Sequence, residues 1–548
     1  MKFHYSRQCL NPSERFLERI LEILPGLTSW SILIGLVILS FVKPITAAVI
    51  IIVFDFYWLL RLFYLTIFLA LSYVRLSIES ATDWMRRIAA IDHYFSKQTK
   101  IADPKENWKQ KISAWVYERE LKTLQASGQR PPPSSEIYHL VIVTVVNEGE
   151  QVLAAGLKSF MGGTFPSKRT LLVYAVEERT EPEIKKQVHD LTKAYRQHFL
   201  DVLVTEHPDG LPGEARVKGA NATHAATFAR RFLEKREIPV ENVIVSCFDA
   251  DTVVSPQYFA CLTYSFLVCP NRQRASYQPI PVYHNNIWDV PGFARILEMG
   301  ASFFQLTEAT QPDKMVTFSS HSMSFKALVE IGYWPVDMVS DDSAIYWKAL
   351  LYYEGDYRVM PLFVTVSMDV VAAKNWWQTC VHVYKQKRRW AWGIENFPIL
   401  MRGFLKCPRM SLTKKFQHTI KIFEAFIAWA TWPFILAMIG WLPAVFASRE
   451  FSNSVLYYTA PRIAGTIFNL ATVSLVTTIV LSLCLLPKKK IRYSFLKRVL
   501  HALEWLLIPV VAIFFSALPA LDAQTRLMFG RYMEFWVTDK TRKQEIPE

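Results

Sequence analysis

An apolar run of 48 residues, Leu27–Val74, constrains this chain more than any other feature. It is broken chiefly by Lys43-Pro44, Asp55 and Arg61, and it is more than twice the ~20 residues a helix needs to cross a hydrocarbon core. Two crossings fit, with Lys43-Pro44 as the turn between them or with Pro44 inside a first span that ends near Asp55. Asp55 and Arg61 read as interfacial or snorkelling groups, with a polar passage as the alternative. Ala425–Ser448 and Ile463–Pro487, uncharged stretches of 24 and 25 residues, are each long enough for another crossing. Trp505–Leu521, with 17 residues, supports a fifth, and Pro509 and Pro519 permit a broken or re-entrant course.

Overall composition averages over this unevenness, with 51% hydrophobic and 20% charged residues. The net charge is +14, from 62 basic and 48 acidic side chains. Arg75, Arg86 and Arg87 follow the first apolar run, and Lys488, Lys489, Lys490, Arg492, Lys497 and Arg498 separate the last two. Both groups predict a cytoplasmic side shared by the amino terminus and the long middle segment. Orientation and anionic lipid then account for much of the positive charge, and no zinc finger or RNA-binding aromatic motif points to nucleic acid. The seven cysteines form no CxxC pair and no cysteine-histidine grouping, which disfavours a disulfide framework or structural zinc. Residues 1–26 are too polar for a cleavable signal and are expected to be retained.

Between residues 135 and 375 the texture becomes that of a soluble α/β domain, set off by the linker at Arg130-Pro131-Pro132-Pro133. His139–Val146, Leu171–Glu178 and Asn242–Asp251 are predicted strands, with amphipathic segments between them as in repeated βα units. Ligands in open α/β sheets bind beyond the carboxyl ends of the strands, where Glu177-Glu178 and Asp249-x-Asp251 fall. No P-loop or GxGxxG fingerprint accompanies them, so an ATPase or dinucleotide dehydrogenase is disfavoured.

Asp249 and Asp251 in FDADT can direct two carboxylates toward a hard cation and nucleotide phosphates, although an acidic turn satisfying its own amides has the same pattern. In VSDDS, Asp341 and Asp342 offer a carboxylate to take a hydroxyl proton, or simply the first turn of a helix. In Gln386-Lys387-Arg388-Arg389-Trp390, Arg389 can neutralise phosphate and Trp390 can present an apolar face to a sugar. A juxtamembrane basic-aromatic anchor explains Lys387, Arg388 and Trp390 too, but does not require Gln386 and the QxxRW spacing. His321 and Trp288 read as acceptor contacts or as packing and loop-bonding groups. Trp376-Trp377 and Trp392 read as a membrane-surface belt or as sugar-stacking rings.

Taken in order, these motifs resemble the membrane-integrated family 2 glycosyltransferases, the group that includes cellulose and hyaluronan synthases. The resemblance covers roughly residues 138–395 and the flanking helices. It implies a GT-A-like nucleotide-binding fold and sugar transfer from a nucleotide donor with Mg²⁺ or Mn²⁺. Asn147-Glu148 resembles the first-strand nucleotide loop, and Lys218-Gly219-Ala220-Asn221 resembles the donor-site segment containing Lys218 and Asn221. Asp249 and Asp251 match the metal-diphosphate DxD, Asp342 matches the final aspartate of the base motif, and Gln386, Arg389 and Trp390 match QxxRW. Glu177 and Glu178 stand where the family commonly has a base-recognising aspartate, and Ser340-Asp341-Asp342 stands for Thr-Glu-Asp.

The expectation is therefore an α/β GT-A-like domain at 135–375, inserted between membrane helices at 27–75 and 423–521. A linker occupies 76–134, an interface region 376–422, and polar segments 1–26 and 522–548. Asp342 is the expected base, with Asp249 and Asp251 as metal ligands. Asn147, Glu148, Glu177, Glu178, Lys218, Asn221, Asp249, Gln386 and Arg389 are assigned to the donor, and Asp341 and Trp390 to the acceptor. The expected partners are a UDP-sugar, a growing glycan or lipid acceptor, membrane lipids and an accessory subunit, in a bacterial inner membrane with the catalytic domain cytoplasmic. Inverting transfer onto a polysaccharide is the principal reading, with passage of the product across the membrane an added capacity of such polymerases. Nonprocessive transfer to a lipid, and an inactive scaffold or glycan-binding subunit, remain the alternatives.

Overall fold

The computed structural model describes residues 3–8, 10–97, 107–446, 453, 455–487 and 503–534. Cys9 and the basic linker between Lys488 and Arg498 lie outside the described residues. At the centre is one eight-stranded mixed sheet. Its strands in chain order are β1 (Tyr138–Val145), β2 (Thr170–Glu177), β3 (Asp201–His207), β4 (Val243–Asp249), β5 (Val253–Val254), β6 (Ala275–Val282), β7 (Ser322–Ser324) and β8 (Arg358–Ser367), and their spatial order is β3-β2-β1-β4-β7-β6-β8-β5.

β1 pairs in parallel with β2 and β4, and β2 with β3, so four strands end on the same side of the sheet. β1, β2 and β4 are buried on both faces, which is why they read as unbroken apolar runs. Leu140 and Ile142 of β1 enter one hydrophobic core, whereas Val141, Val143 and Val145 enter the other. Helix Lys218–Glu234 lies against the first face through Ala222, Ala225, Ala226 and Ala229, whose small side chains allow close approach. Helices Glu150–Met161, Pro182–Tyr195 and Tyr258–Val268 cover the second. The sequence reading missed β3, whose outer positions are only partly covered because it lies at the sheet edge.

Among the described residues, five helices are long and apolar enough to cross a membrane: Pro12–Val42, Pro44–Glu79, Leu412–Ala437, Tyr457–Leu485 and Glu504–Met528. The first two break at Lys43, because a proline disfavours helical geometry in the residue before it while starting the next helix without strain. The first begins at Pro12, capped by Asn11 and Glu14, well before Leu27. Its polar first turns are accommodated outside the apolar zone, where the buried Glu18 pairs with Arg402 at 2.9 Å.

The last apolar segment has both ends against the α/β domain. Glu504 pairs with Arg295 on helix Gly292–Glu308, and Asp522 pairs with Arg388 on helix Trp376–Ala391. Trp429 Nε1 donates to Ser516 Oγ, and Gln524 Nε2 donates to the carbonyl of Phe426. A turn of π-helix at Ile513–Ala517 interrupts this segment.

Candidate active site

The carboxyl ends of β1, β2 and β4 form the floor of the site. Thr144 stands in register with Asp249, and Glu177 with His207. Beyond β1, the Glu148 carboxylate accepts the amides of Val146 and Asn147 at 2.8 and 3.0 Å, which shapes the loop and leaves Asn147 exposed. Beyond β2, Glu177 pairs with Arg179, while Glu178 accepts the Asp209 amide at 2.9 Å.

Lys218 is the hub. Its ammonium lies 2.9 Å from Asp249 Oδ1 and 3.1 Å from Asp342 Oδ1, joining residues that are 93 positions apart in sequence. Lys218 is 7% exposed, whereas the side chains of Asp249 and Asp342 are each 28% exposed and can meet a ligand. Burial alone would lower the ammonium pKa, but the Asp249 and Asp342 carboxylates outweigh it and hold Lys218 charged, well above the ordinary lysine range. Gly219 makes this approach sterically allowed. A Cβ there would sit 2.3 Å from the Pro335 carbonyl, in the loop leading to Asp342.

The two aspartates of FDADT differ. Asp249 accepts from Ser319 Oγ besides pairing with Lys218. Asp251 is buried, and its Oδ2 accepts the Asp369 amide at 2.8 Å. Among the described residues, no group of three or more His, Cys, Asp or Glu could hold an ion unaided. One accessible and one anchored carboxylate still suit a hard cation that completes its shell with phosphate oxygens.

Asp341 and Asp342 open helix Asp341–Tyr352, where the helix dipole favours carboxylates. Only Asp342 is accessible. Asp341 is 2% exposed, and burial followed by the Asp342 charge pushes its carboxyl well above the ordinary range. Asp341, expected at the acceptor, is thus a buried acid behind Asp342. Asn221 is likewise internal, donating from Nδ2 to the Ala175 carbonyl of β2 at 2.8 Å. This bond ties its helix to the sheet.

Gln386, Arg389 and Trp390 share helix Trp376–Ala391. Gln386 is buried, and the Arg389 charge reaches Asp341. Trp390 stands edge-on to Phe318 at 5.6 Å and beside Tyr283 at 6.3 Å. Lys387 Nζ lies over the Trp390 ring, 3.4 Å from its centroid. It is fully buried against Glu298 at 2.9 Å, and Arg388 pairs with Asp522, so neither serves as a simple surface anchor. Trp392 is fully buried, which removes it from any membrane-surface belt, while Trp377 is exposed. Trp288 lies under Arg295, and His321 Nδ1 bonds the Phe318 carbonyl.

Among the described residues, buried polar atoms here without a hydrogen-bond partner include Asp341 Oδ2, Gln386 Oε1, Tyr283 Oη, His321 Nε2 and Asn221 Oδ1. Native interiors pair nearly all such atoms, so these are available to a polar ligand. The sequence reading missed Tyr283, Ser319 and Asp369, which reach the site only through the folding of distant loops.

Residues 244–515 match the family model described as Glycosyl transferase family group 2. The poly-β-1,6-N-acetyl-D-glucosamine synthase of Staphylococcus epidermidis is 28% identical over 300 residues, covering 54% of this chain and 62% of that protein. A Staphylococcus aureus protein of the same name is 27% identical over 197 residues, covering 35% of this chain and 44% of its own length. The chain thus aligns with less than two thirds of each relative. The structure of a mannosyltransferase from Pyrobaculum calidifontis in complex with GDP-Man and Mn²⁺ aligns at a TM-score of 0.39 and 15% identity, covering 68% of this chain and 96% of that one.

Proposed function

Because residues 244–515 match the model of glycosyl transferase family group 2 and the sheet is flanked by apolar helices of membrane-spanning length, we propose that the chain extends a glycan from a nucleotide-sugar donor by metal-assisted, inverting transfer. The observation that carries this reading is the Lys218 bridge between Asp249 and Asp342. In this reading Lys218 is the diphosphate-binding cation, Asp249 the metal-site carboxylate and Asp342 the general base, both carboxylates lying within reach of one ammonium. The N-terminus of the 17-residue helix opened by Lys218 adds backbone amides suited to phosphate.

Charge supports the cation. Asp249, Asp251 and Asp342 exceed Lys218 and Arg389 by one negative charge, so an anionic diphosphate needs further positive charge to enter. A divalent ion held by Asp249 and Asp251 would supply Lewis-acid stabilisation of the leaving diphosphate. Lys218 and Arg389 steady the same developing charge. Asp342 takes the acceptor hydroxyl proton as that oxygen bonds to the anomeric carbon and the sugar–diphosphate bond breaks. One displacement inverts the anomeric centre. Trp390 offers the acceptor sugar an apolar face.

UDP-N-acetylglucosamine is the first donor to try, since the named relatives make a polymer of that sugar. The test incubates the purified full chain in lipid with UDP-sugars and Mg²⁺ or Mn²⁺, and measures UDP release and product length. Long product, lost in Asp342→Asn and in chelator, is the expected result. A discrete glycolipid would overturn polymerisation, and donor binding without transfer would overturn the enzymatic role.

A further inference from the structure

The helix that presents Asp342 is held in place from outside the donor and acceptor residues. We propose that Glu395 is a positioning residue for Asp342 and that Arg7, on the N-terminal segment, is the counter-ion that keeps Glu395 in that role. The proposal rests on the reading of Asp342 as the base.

Glu395 is fully buried. Its Oε1 accepts both the amide and the hydroxyl of Ser340, at 2.8 and 2.6 Å. Its Oε2 accepts Trp392 Nε1 at 2.8 Å and pairs with Arg7 at 2.8 Å. Ser340 immediately precedes the helix carrying Asp342. A serine there ordinarily caps the helix with its own oxygen, yet this hydroxyl makes no cap and is turned toward Glu395. The start of the helix is thus located by a carboxylate 55 residues away. Glu395 also lies five residues beyond Trp390, so it joins the end of the QxxRW segment to the base.

Neighbouring contacts act on the same loop. Asn396 donates to the hydroxyls of Ser340 and Ser343 and accepts Tyr5 Oη at 2.7 Å. Ser6 Oγ donates to Asp337 at 2.6 Å, and Arg402 holds the Ser6 carbonyl at 2.7 Å. Ser6 and the Arg7 amide therefore hold Asp337 directly, while Tyr5 and the Arg7 side chain act on Ser340 through Asn396 and Glu395. Arg7 further packs over the Tyr532 ring, at 4.9 Å from its centroid. Without Arg7, Glu395 would be a buried carboxylate facing only neutral donors, a costly state that relaxes by moving or by taking a proton. Either change releases Ser340 and displaces Asp342.

The test compares Arg7→Gln, Arg7→Lys, Arg7→Gln/Glu395→Gln and Asp342→Asn as full chains in lipid, measuring kcat, donor KM and the unfolding midpoint. Arg7→Gln is expected to lower kcat about tenfold to a hundredfold, as a small misplacement of a catalytic group does, with donor KM nearly unchanged. Arg7→Lys should recover most of the loss, and the double variant should be faster than Arg7→Gln alone because the stranded charge is gone. A folded Arg7→Gln with native kcat overturns the positioning role, as does a loss expressed wholly in donor KM. If Arg7→Gln does not fold, Tyr5→Phe, which removes one hydroxyl, is read by the same criterion. Native transfer by Asp342→Asn would instead overturn the base assignment, whatever Arg7 does.

Discussion

Lys218 does at the residue scale what no single motif does alone. Removing its charge leaves two carboxylates facing each other, so Lys218→Met should reduce donor turnover at least about a hundredfold, with Lys218→Arg recovering only part because a planar fork replaces a point charge. UDP release at saturating donor checks this. Gly219→Ala should cost about 1–3 kcal/mol by forcing the Pro335 loop outward, measured as a fall in the unfolding midpoint. His139 gives a pH dependence of definite sign. Burial lowers its pKa to about 3, and it bonds Thr263 at 2.8 Å. Its unfolded value is about 6.5, so the unfolded chain alone takes up a proton as pH falls from 6.5 toward 3, and stability is lost in that window. At pH 4.5 the loss is about 3 kcal/mol. His139→Gln should therefore be less acid-sensitive than the parent when unfolding midpoints at pH 7 and 4.5 are compared.

At the scale of elements, the parallel edge of the sheet collects the loops, but the QxxRW helix is placed by a different interaction. Lys387 and Glu298 form a buried pair between helices Trp376–Ala391 and Gly292–Glu308. Breaking it on one side, as in Glu298→Leu, should destabilise by about 3–5 kcal/mol, because an ammonium is left buried and alone. Glu298→Leu/Lys387→Met should return most of that stability while keeping the packing. A double variant as unstable as the single one would show that the pair's charge is not what matters. The pair is invisible locally, since its members are 89 residues apart and Lys387 sits in a run of basic residues that resembles a surface anchor.

For the whole molecule, the course of Glu504–Met528 decides the topology. Both its ends are paired to the α/β domain, and Tyr532 beyond it bonds Glu22 at the start of the first helix. We therefore expect four crossings, with residue 531 on the same side as the catalytic domain. In sealed vesicles of a cysteine-free background, an impermeant thiol reagent should label Gln129→Cys and Arg531→Cys from one face and Val445→Cys from the other. Labelling of position 531 from the face of position 445 would require a fifth crossing.

The α/β domain, the flanking apolar helices and the order of the acidic and basic motifs were legible in the residues, because burial periodicity, span length and charge are local properties. The Lys43-Pro44 turn was legible as one of two alternatives, and the geometry of the proline selected it. The sequence by itself could not say that Asp341 is buried while Asp342 is accessible, since the two are adjacent and chemically identical. Nor could it say that Asn221 serves the sheet, or that Lys387 and Trp392 are internal. Those outcomes depend on contacts between residues tens to hundreds of positions apart, whose energies are set by the enclosed space and the charges that meet there. The Lys218 bridge and the Arg7–Glu395–Ser340 chain belong to this second class, and tertiary structure alone brings their members together.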